Sequence, residues 1–432
     1  MLIRGLTGLL TGEGFVLRDG RRVSTDDCGF VGGPVDIAID GGVVRQIGKN
    51  LDASDPVIDG RGRLALPGFI DPHTHAIFAG DRSAEYFMRW AGRSYVEIAQ
   101  AGGGIHSTVR ATREADDSTL RDGLIRVLRA MGACGATVIE VKSGYADCAE
   151  GELRLLRLVR DATATSDTSG RRLPRVRASF LGLHALPPGR DEASYVDEMI
   201  AAVPRVVSEE LACHADSFPE RGFFSLEGAL RFSTAAARAG LAVKVHADEL
   251  CDLGSSVAFA RAGALSVDHL QHISDEAVAL LAECPTVATM LPATSFFVGL
   301  PFAGARRLVD AGARVALATD FNPGTAPAVD LQLTHLLAAG QMRLSPAEIL
   351  CASTFNAAAA LGLAPTHGAL LPGRSADVLL YAAPEAYSPE AALATWASII
   401  LARRRPDAVV AQGCEIAGSR DDVAALRRFL TP

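Results

Sequence analysis

From Val138 onward, short β-branched runs that end in polar residues alternate with stretches rich in Ala, Leu and Arg. Eight runs read as strands: Leu64–Ile70, Thr137–Val141, Val176–Leu181, Leu211–Asp216, Ala242–Val245, Ala264–Val267, Thr286–Met290 and Arg314–Ala318. Strands separated by helices pair in parallel, because only a long crossover returns the chain to the same end of a sheet. Eight such units close most naturally into a (β/α)8 barrel. With 432 residues the chain exceeds the roughly 250 that a barrel needs, which leaves room for a smaller domain.

The helical stretches carry their own signals. Leu153, Leu156, Leu158 and Val159 recur at near-helical spacing between Glu150 and Arg160. Ser274 is placed to cap a helix that has Glu276 and Ala277 in its first turn. Ser345, Pro346 and Glu348 match a capping box with proline at the first helical position.

The flanks follow a different pattern. Val35–Ile39 and Val43–Ile47 alternate around Gly41-Gly42, and Asp59-Gly60 marks another turn, which is hairpin chemistry. Ala376–Tyr381 and Ala408–Ala411 also read as strands. The economical arrangement is a small β-sandwich domain formed from both termini, residues 1–65 and 366–432, with the barrel of residues 66–365 inserted between them.

Composition narrows the classes of function. The net charge of −8 argues against nucleic acid as a partner, since phosphate binding needs a basic face. No run approaches the roughly 18 apolar residues of a membrane helix. The apolar opening, Met1 to Leu10, is short and broken by glycine, so no export leader is expected. Eight scattered cysteines without a CxxC pair read as reduced thiols, and the expected location is the cytoplasm.

The strongest chemical signal is His73-Thr74-His75, which follows Pro67-Gly68-Phe69-Ile70-Asp71-Pro72. Residues i and i+2 of an extended chain share a face, so the two imidazoles project together and can chelate a borderline metal. One such pair is weak alone. It gains weight because His246, Asp268-His269 and Asp320 end the fifth, sixth and eighth strands. Catalytic groups of such barrels gather at the C-terminal ends of the strands. Polar groups there are costly unless they are paired or ligate metal. Histidines and carboxylates gathered at one rim are therefore expected to hold a catalytic metal ion. With an open position, that ion lowers the pKa of a bound water toward about 7 and polarises a carbonyl, which is hydrolase chemistry.

The pattern resembles the amidohydrolase superfamily, and within it the imidazolonepropionase family of histidine degradation. The resemblance runs over residues 60–375 and rests on specific stretches. These are Gly80-Asp81-Arg82, Ala101-Gly102-Gly103-Gly104-Ile105 with Ser107 to Arg113, and Glu140-Val141-Lys142-Ser143-Gly144-Tyr145. Leu183-His184-Ala185-Leu186-Pro187-Pro188, His246-Ala247-Asp248, Asp268-His269-Leu270 and Asp320-Phe321-Asn322-Pro323-Gly324-Thr325 complete the set. The resemblance implies one Zn2+ or Fe3+ ion on His73, His75, His246 and Asp320. It implies substrate contacts from Arg82, Tyr145, His184, Asn322, Gly324 and Thr325. Glu249, His269 and Asp320 would be the catalytic groups, with Glu249 and His269 meeting the attacking water or the ring. The implied reaction opens 4-imidazolone-5-propanoate to N-formimidoyl-L-glutamate.

The residue chemistry agrees with those roles. Arg82 offers a planar fork suited to a carboxylate tail, and Glu249 lies three residues past His246. Backbone N–H groups of the loop after Asp320 are expected to meet a second polar group of the substrate. The fourth strand has no lysine, so a two-metal centre bridged by a modified lysine is not expected. Lys142 and Lys244 read as structural or substrate-side charges, and His106, His214, His272, His335 and His367 as structural or surface residues. Two stretches depart from the family pattern: Pro219, where the family more often has Cys, and Tyr387–Arg405. The expected partner is a small molecule with a carboxylate tail, and the macromolecular partner considered is a second copy in a homodimer. The alternative enzyme reading is another mononuclear member of the superfamily, a cyclic-amide hydrolase or an aromatic-base deaminase. A silent binding homologue would lack a ligand, and none is missing.

Overall fold

Gly68 is where the chain leaves one sheet and enters another. The expected strand Leu64–Ile70 is in fact two, β5 (Arg63–Pro67) and β6 (Phe69–Asp71). The computed structural model describes residues 1–52, 55–93, 97, 103–164 and 172–417. Within it the Gly68 N–H donates to the Asp377 carbonyl at 2.8 Å. A Cβ on Gly68 would lie 2.4 Å from Thr137 Oγ1 and 2.9 Å from Asp377 Cβ. Only glycine lets the backbone pass at this handover.

β5 belongs to a terminal sheet with β1 (Leu2–Leu10), β2 (Phe30–Asp40), β3 (Val43–Gly48) and β4 (Val57–Asp59). The other end of the chain adds β14 (Val378–Ala382), β15 (Ala408–Ala411) and β16 (Cys414–Ala417). The order is β16-β15-β14-β5-β1-β2-β3, with β4 paired to β1. The two ends therefore share one sheet, and the β2–β3 hairpin turns at Gly41-Gly42 as expected.

The barrel runs through β6, β7 (Ala136–Lys142), β8 (Arg175–Leu183), β9 (His214–Ser217) and β10 (Ala242–Ala247). It continues with β11 (Ser266–His269), β12 (Val287–Met290) and β13 (Val315–Leu317). Every neighbouring pair is parallel. β9 starts three residues later than the expected Leu211, whose N–H is already used on the Val206 carbonyl at 2.9 Å, behind the helix Glu192–Ser208. Between β13 and β6 the ring is joined beyond the strands themselves. Thr74 bridges Phe321 in parallel, the His75 N–H donates to the Phe321 carbonyl at 2.9 Å, and Thr319 Oγ1 donates to Asp71 at 2.6 Å.

The helices start where the sequence places their caps. Ser274 accepts from the Ala277 N–H, and Ser345 and Glu348 form the reciprocal capping box. The helix Pro389–Leu401, inside the divergent stretch, inserts Trp396 into the core beside Phe69 and His335, with ring centroids 5.8 and 5.6 Å away. Among the described residues no helix is long and apolar enough to cross a membrane, and all eight cysteines are unpaired.

Candidate metal centre

His73 and His75 follow directly on β6, held extended by the bridge at Thr74, and their ring centroids lie 5.3 Å apart. His246 stands near the end of β10 and Asp320 three residues beyond β13. His73 Nε2 and His75 Nε2 lie 3.5 and 3.4 Å from Asp320 Oδ1, and His246 Nε2 lies 3.4 Å from His75 Nε2. Ligand atoms of His73, His75 and His246 all fall within 4.8 Å of one another, as do those of His73, His269 and Asp320. None of these side chains reaches solvent appreciably.

The chemistry of this donor set fits a cation. His73 Nε2 and Asp320 Oδ1 are buried without a hydrogen-bond partner, although buried polar atoms normally have one. Burial, together with Lys142 and the neighbouring imidazoles, holds the His73 pKa well below the ordinary histidine value; burial and then His246 do the same for His75. Neutral imidazoles are the form that ligates metal.

Two carboxylates aim the rings. Asp268 Oδ2 lies 2.7 Å from His73 Nδ1, and Asp216 Oδ1 lies 3.2 Å from His246 Nδ1. A carboxylate accepts, so each Nδ1 carries the proton and each Nε2 lone pair faces the cluster. Neither aspartate was assigned a role from the sequence. Their signal was a polar residue facing inward on a barrel strand, Asp216 at the end of its expected run and Asp268 directly after its own.

Asp320 is over-determined. Its φ is 54°, in the left-handed region, which costs a non-glycine residue about 1–3 kcal/mol. Its N–H is bound to the His73 carbonyl and its Oδ2 accepts from Thr294 Oγ1 at 2.5 Å, leaving Oδ1 toward the histidines. Thr294, in the helix Pro292–Val298, is a further residue that sequence reasoning missed.

A cavity of about 250 Å³ opens above the cluster. Its lining includes His75, Arg82, Tyr145, His184, His246, Glu249, His269, Asp320, Asn322 and Thr325, walled by Phe218, Phe223 and Leu300. His184 Nδ1 donates to the Gly144 carbonyl at 2.9 Å, and its ring stacks on His75 at 4.9 Å and 16°. Glu249 Oε1 lies 3.6 Å from His269 Nδ1. Burial, then Asp320 and Glu220, push the Glu249 carboxyl well above its usual range. Glu220 stays in place beside Pro219, accepting from the Leu250 N–H and Cys251 Sγ, both at 2.9 Å.

Two expectations about the substrate side are corrected. The N–H groups of Gly324 and Thr325 do not face the cavity, because both donate to Asn322 Oδ1, at 2.9 and 2.7 Å. Asn322 is thus the staple of its loop, which a short polar side chain two residues back does well. Gly324 does not line the cavity; a Cβ there would lie 1.8 Å from Arg82 Nη1, so its role is to let Arg82 pass. The Arg82 fork is also engaged: Nε and Nη2 meet Glu85 at 3.0 and 2.8 Å. Glu85 in turn accepts from the Gly104 N–H at 2.8 Å, while Ala101 and Gly102 of the glycine motif lie outside the described residues.

The remaining histidines stand apart from the cluster. His214 rests on Ser179 at 3.2 Å, His335 on Ser353 at 2.8 Å and His367 on Thr366 at 2.8 Å.

A cluster of histidine and aspartate donors on the C-terminal rim of such a barrel defines the class, and the comparisons agree. The amidohydrolase family profile matches residues 64–413, so the chain belongs to that family. The fold is shared with a triazine hydrolase variant, at a TM-score of 0.72 and 19% identity, covering 100% of this chain and 99% of that one. It is also shared with a zinc-bound adenosine deaminase from Xanthomonas campestris, at a TM-score of 0.69 and 15% identity, covering 99% and 97%. Within the family the chain sits with the imidazolonepropionases. It is 44% identical over 384 residues to that of Symbiobacterium thermophilum, covering 87% of this chain and 85% of its relative.

Proposed function

We propose that the chain hydrolyses 4-imidazolone-5-propanoate in histidine degradation. Water adds to the ring carbonyl carbon, the ring C–N bond breaks, and N-formimidoyl-L-glutamate results. The observation that carries this reading is a single cavity that joins the ligand cluster to Arg82, Tyr145, His184 and Asn322.

His73, His75, His246 and Asp320 are the residues to hold one Zn2+ or Fe3+ ion per chain. When bound, the ion supplies Lewis acidity and makes a water acidic near neutral pH. Asp320 accepts the proton of the attacking water at its carboxylate. Glu249, whose burial favours the protonated acid, delivers a proton to the departing ring nitrogen. The water proton and the delivered proton balance the addition of one water across the broken bond. His269, beside Glu249, orients that carboxyl and the ring. Arg82, aimed by Glu85, meets the propionate carboxylate, and Tyr145 and His184 flank the imidazolone plane. An aromatic-base deaminase has no substrate carboxylate for Arg82 to meet.

The test is to incubate metal-loaded protein with freshly generated imidazolone propanoate and follow the ring's ultraviolet absorbance. Loss of absorbance with formation of formimidoyl-glutamate is expected. A metal-replete protein that leaves the absorbance unchanged would sink the reading.

A further inference from the structure

Five ionisable side chains are sealed beneath the cluster: Glu140 and Lys142 on β7, Asp216 on β9, Lys244 on β10 and Asp268 on β11. Each has a side-chain exposure of 0%. Lys142 Nζ lies 2.5 Å from Asp216 Oδ2 and 2.9 Å from Glu140 Oε2. Lys244 Nζ lies 3.4 Å from Asp268 Oδ2 and donates to Ser266 Oγ at 2.7 Å. Above this layer, Asp216 and Asp268 are the groups that accept from His246 and His73.

Apolar side chains of similar volume often hold a barrel interior as well as buried ions do, so such a network is weak as a source of stability. Its position suggests another use. Fully ionised, three carboxylates and two ammonium groups leave one negative charge directly under a cluster suited to a cation. The connections are also divided between the histidines. Lys142 is the direct partner of the Asp216–His246 pair, and Lys244 is the nearer lysine to the Asp268–His73 pair.

Asp216 has few other restraints. Its Oδ1 accepts from the Ser217 N–H at 2.7 Å as well as from His246, and Oδ2 faces Lys142. Burial works against its charge, yet Lys142 and then His246 hold its pKa well below the usual carboxylate range. The Lys142 backbone is fixed from the same side, its N–H donating to the Thr74 carbonyl between the two ligand histidines at 3.0 Å.

We infer that Lys142 is a positioning residue that holds Asp216 so that His246 presents Nε2, and thereby sets the affinity of the site for its metal. This rests on the metal site proposed above. Lys142 touches neither metal nor substrate and acts through Asp216.

The experiment removes metal with a chelator and titrates the protein with Zn2+ against a competing chromophoric chelator. Lys142→Met should weaken Zn2+ binding by roughly 10–100-fold, the range for losing an outer partner of a metal ligand. Asp216→Asn should weaken it to a similar degree, and the double variant should bind no worse than the weaker single variant. Lys142→Gln keeps a donor for Asp216 and should lose less than Met; it serves where the Met variant does not fold. Unchanged affinity in the Met variant, or in the Gln variant where Met does not fold, or losses that add in the double variant, would overturn the inference, because each describes a lysine that only fills the barrel. Full Zn2+ binding by His246→Ala would instead overturn the metal site itself, and the inference with it.

Discussion

The Asp320 N–H donates to the His73 carbonyl across 3.1 Å, so two residues of the candidate metal cluster also join the last barrel strand to the first. The contact is made by backbone, not by the side chains that would ligate metal. The consequence is a separation of tasks: the ring stays closed when a ligand side chain is removed.

Replacing His73 or His246 by Ala should accordingly remove both bound metal and turnover while the far-ultraviolet circular dichroism spectrum is retained. Metal analysis of the dialysed protein checks this. Full metal content in His246→Ala would refute the ligand set, and collapse of the spectrum would refute the separation of closure from ligation.

Asp320→Asn keeps the backbone contact and the size of the side chain but removes the proton acceptor. Turnover should fall roughly 10²-fold or more. Thr294→Val tests the aim of that carboxylate by deleting its hydrogen bond to Oδ2. A hydrogen bond to a charged group contributes about 1.5–3 kcal/mol, so a loss of roughly 10–100-fold in kcat is expected. Near-normal kcat in either variant would eliminate Asp320 as the acceptor or Thr294 as its restraint.

The cluster of candidate ligands was legible because its members stand at strand ends, where an apolar run gives way to histidine or aspartate. Glu85 was not singled out, although it stands only three residues from Arg82 at the start of a helix. What escaped was non-local. Lys142 and Asp216 are 74 residues apart, and nothing in either strand announces the partner. The Leu64–Ile70 run is apolar throughout, and its division at Gly68 depends on Thr137 and Asp377 crowding the backbone. The loop after Asp320 read as a set of open N–H donors, because the side chain that occupies them, Asn322, is itself part of the loop.

His335 predicts acid sensitivity of the fold, away from the metal site. Its ring is buried between Phe69 and Trp396, and burial holds its pKa down at about 3. An unfolded histidine titrates near 6.5. Below that pH the unfolded chain takes up a proton that the folded chain refuses, so stability falls as pH drops from about 6.5 toward 3. The slope is at most about 1.4 kcal/mol per pH unit for this one group. His335→Gln, which retains a donor for Ser353, should lose that component. Urea unfolding of both proteins from pH 7 to 4.5 measures the difference; parallel curves would show that His335 is not a source of acid lability.

Arg82 is the residue on which the proposed substrate is tested, and its geometry makes the prediction specific. Glu85 grips the Nε–Nη2 edge, while Gly324 leaves the space that Nη1 occupies. Arg82→Met should lower kcat/KM for imidazolone propanoate by about 2–4 kcal/mol, the worth of a charge-assisted bidentate contact. Arg82→Lys should recover only part of this, since an ammonium cannot present the same planar fork. Gly324→Ala should move the wild-type guanidinium without removing it, because a Cβ at 1.8 Å from Nη1 forces the side chain aside. Its effect is expected chiefly in KM. Metal content should be normal in all three variants, as neither residue is a ligand. A tail-less imidazolone, where it turns over, should be nearly indifferent to each change. Equal losses on both substrates would mean that Arg82 supports the Asn322–Thr325 loop rather than the propionate, and the assignment of a carboxylate-bearing substrate would fall with it.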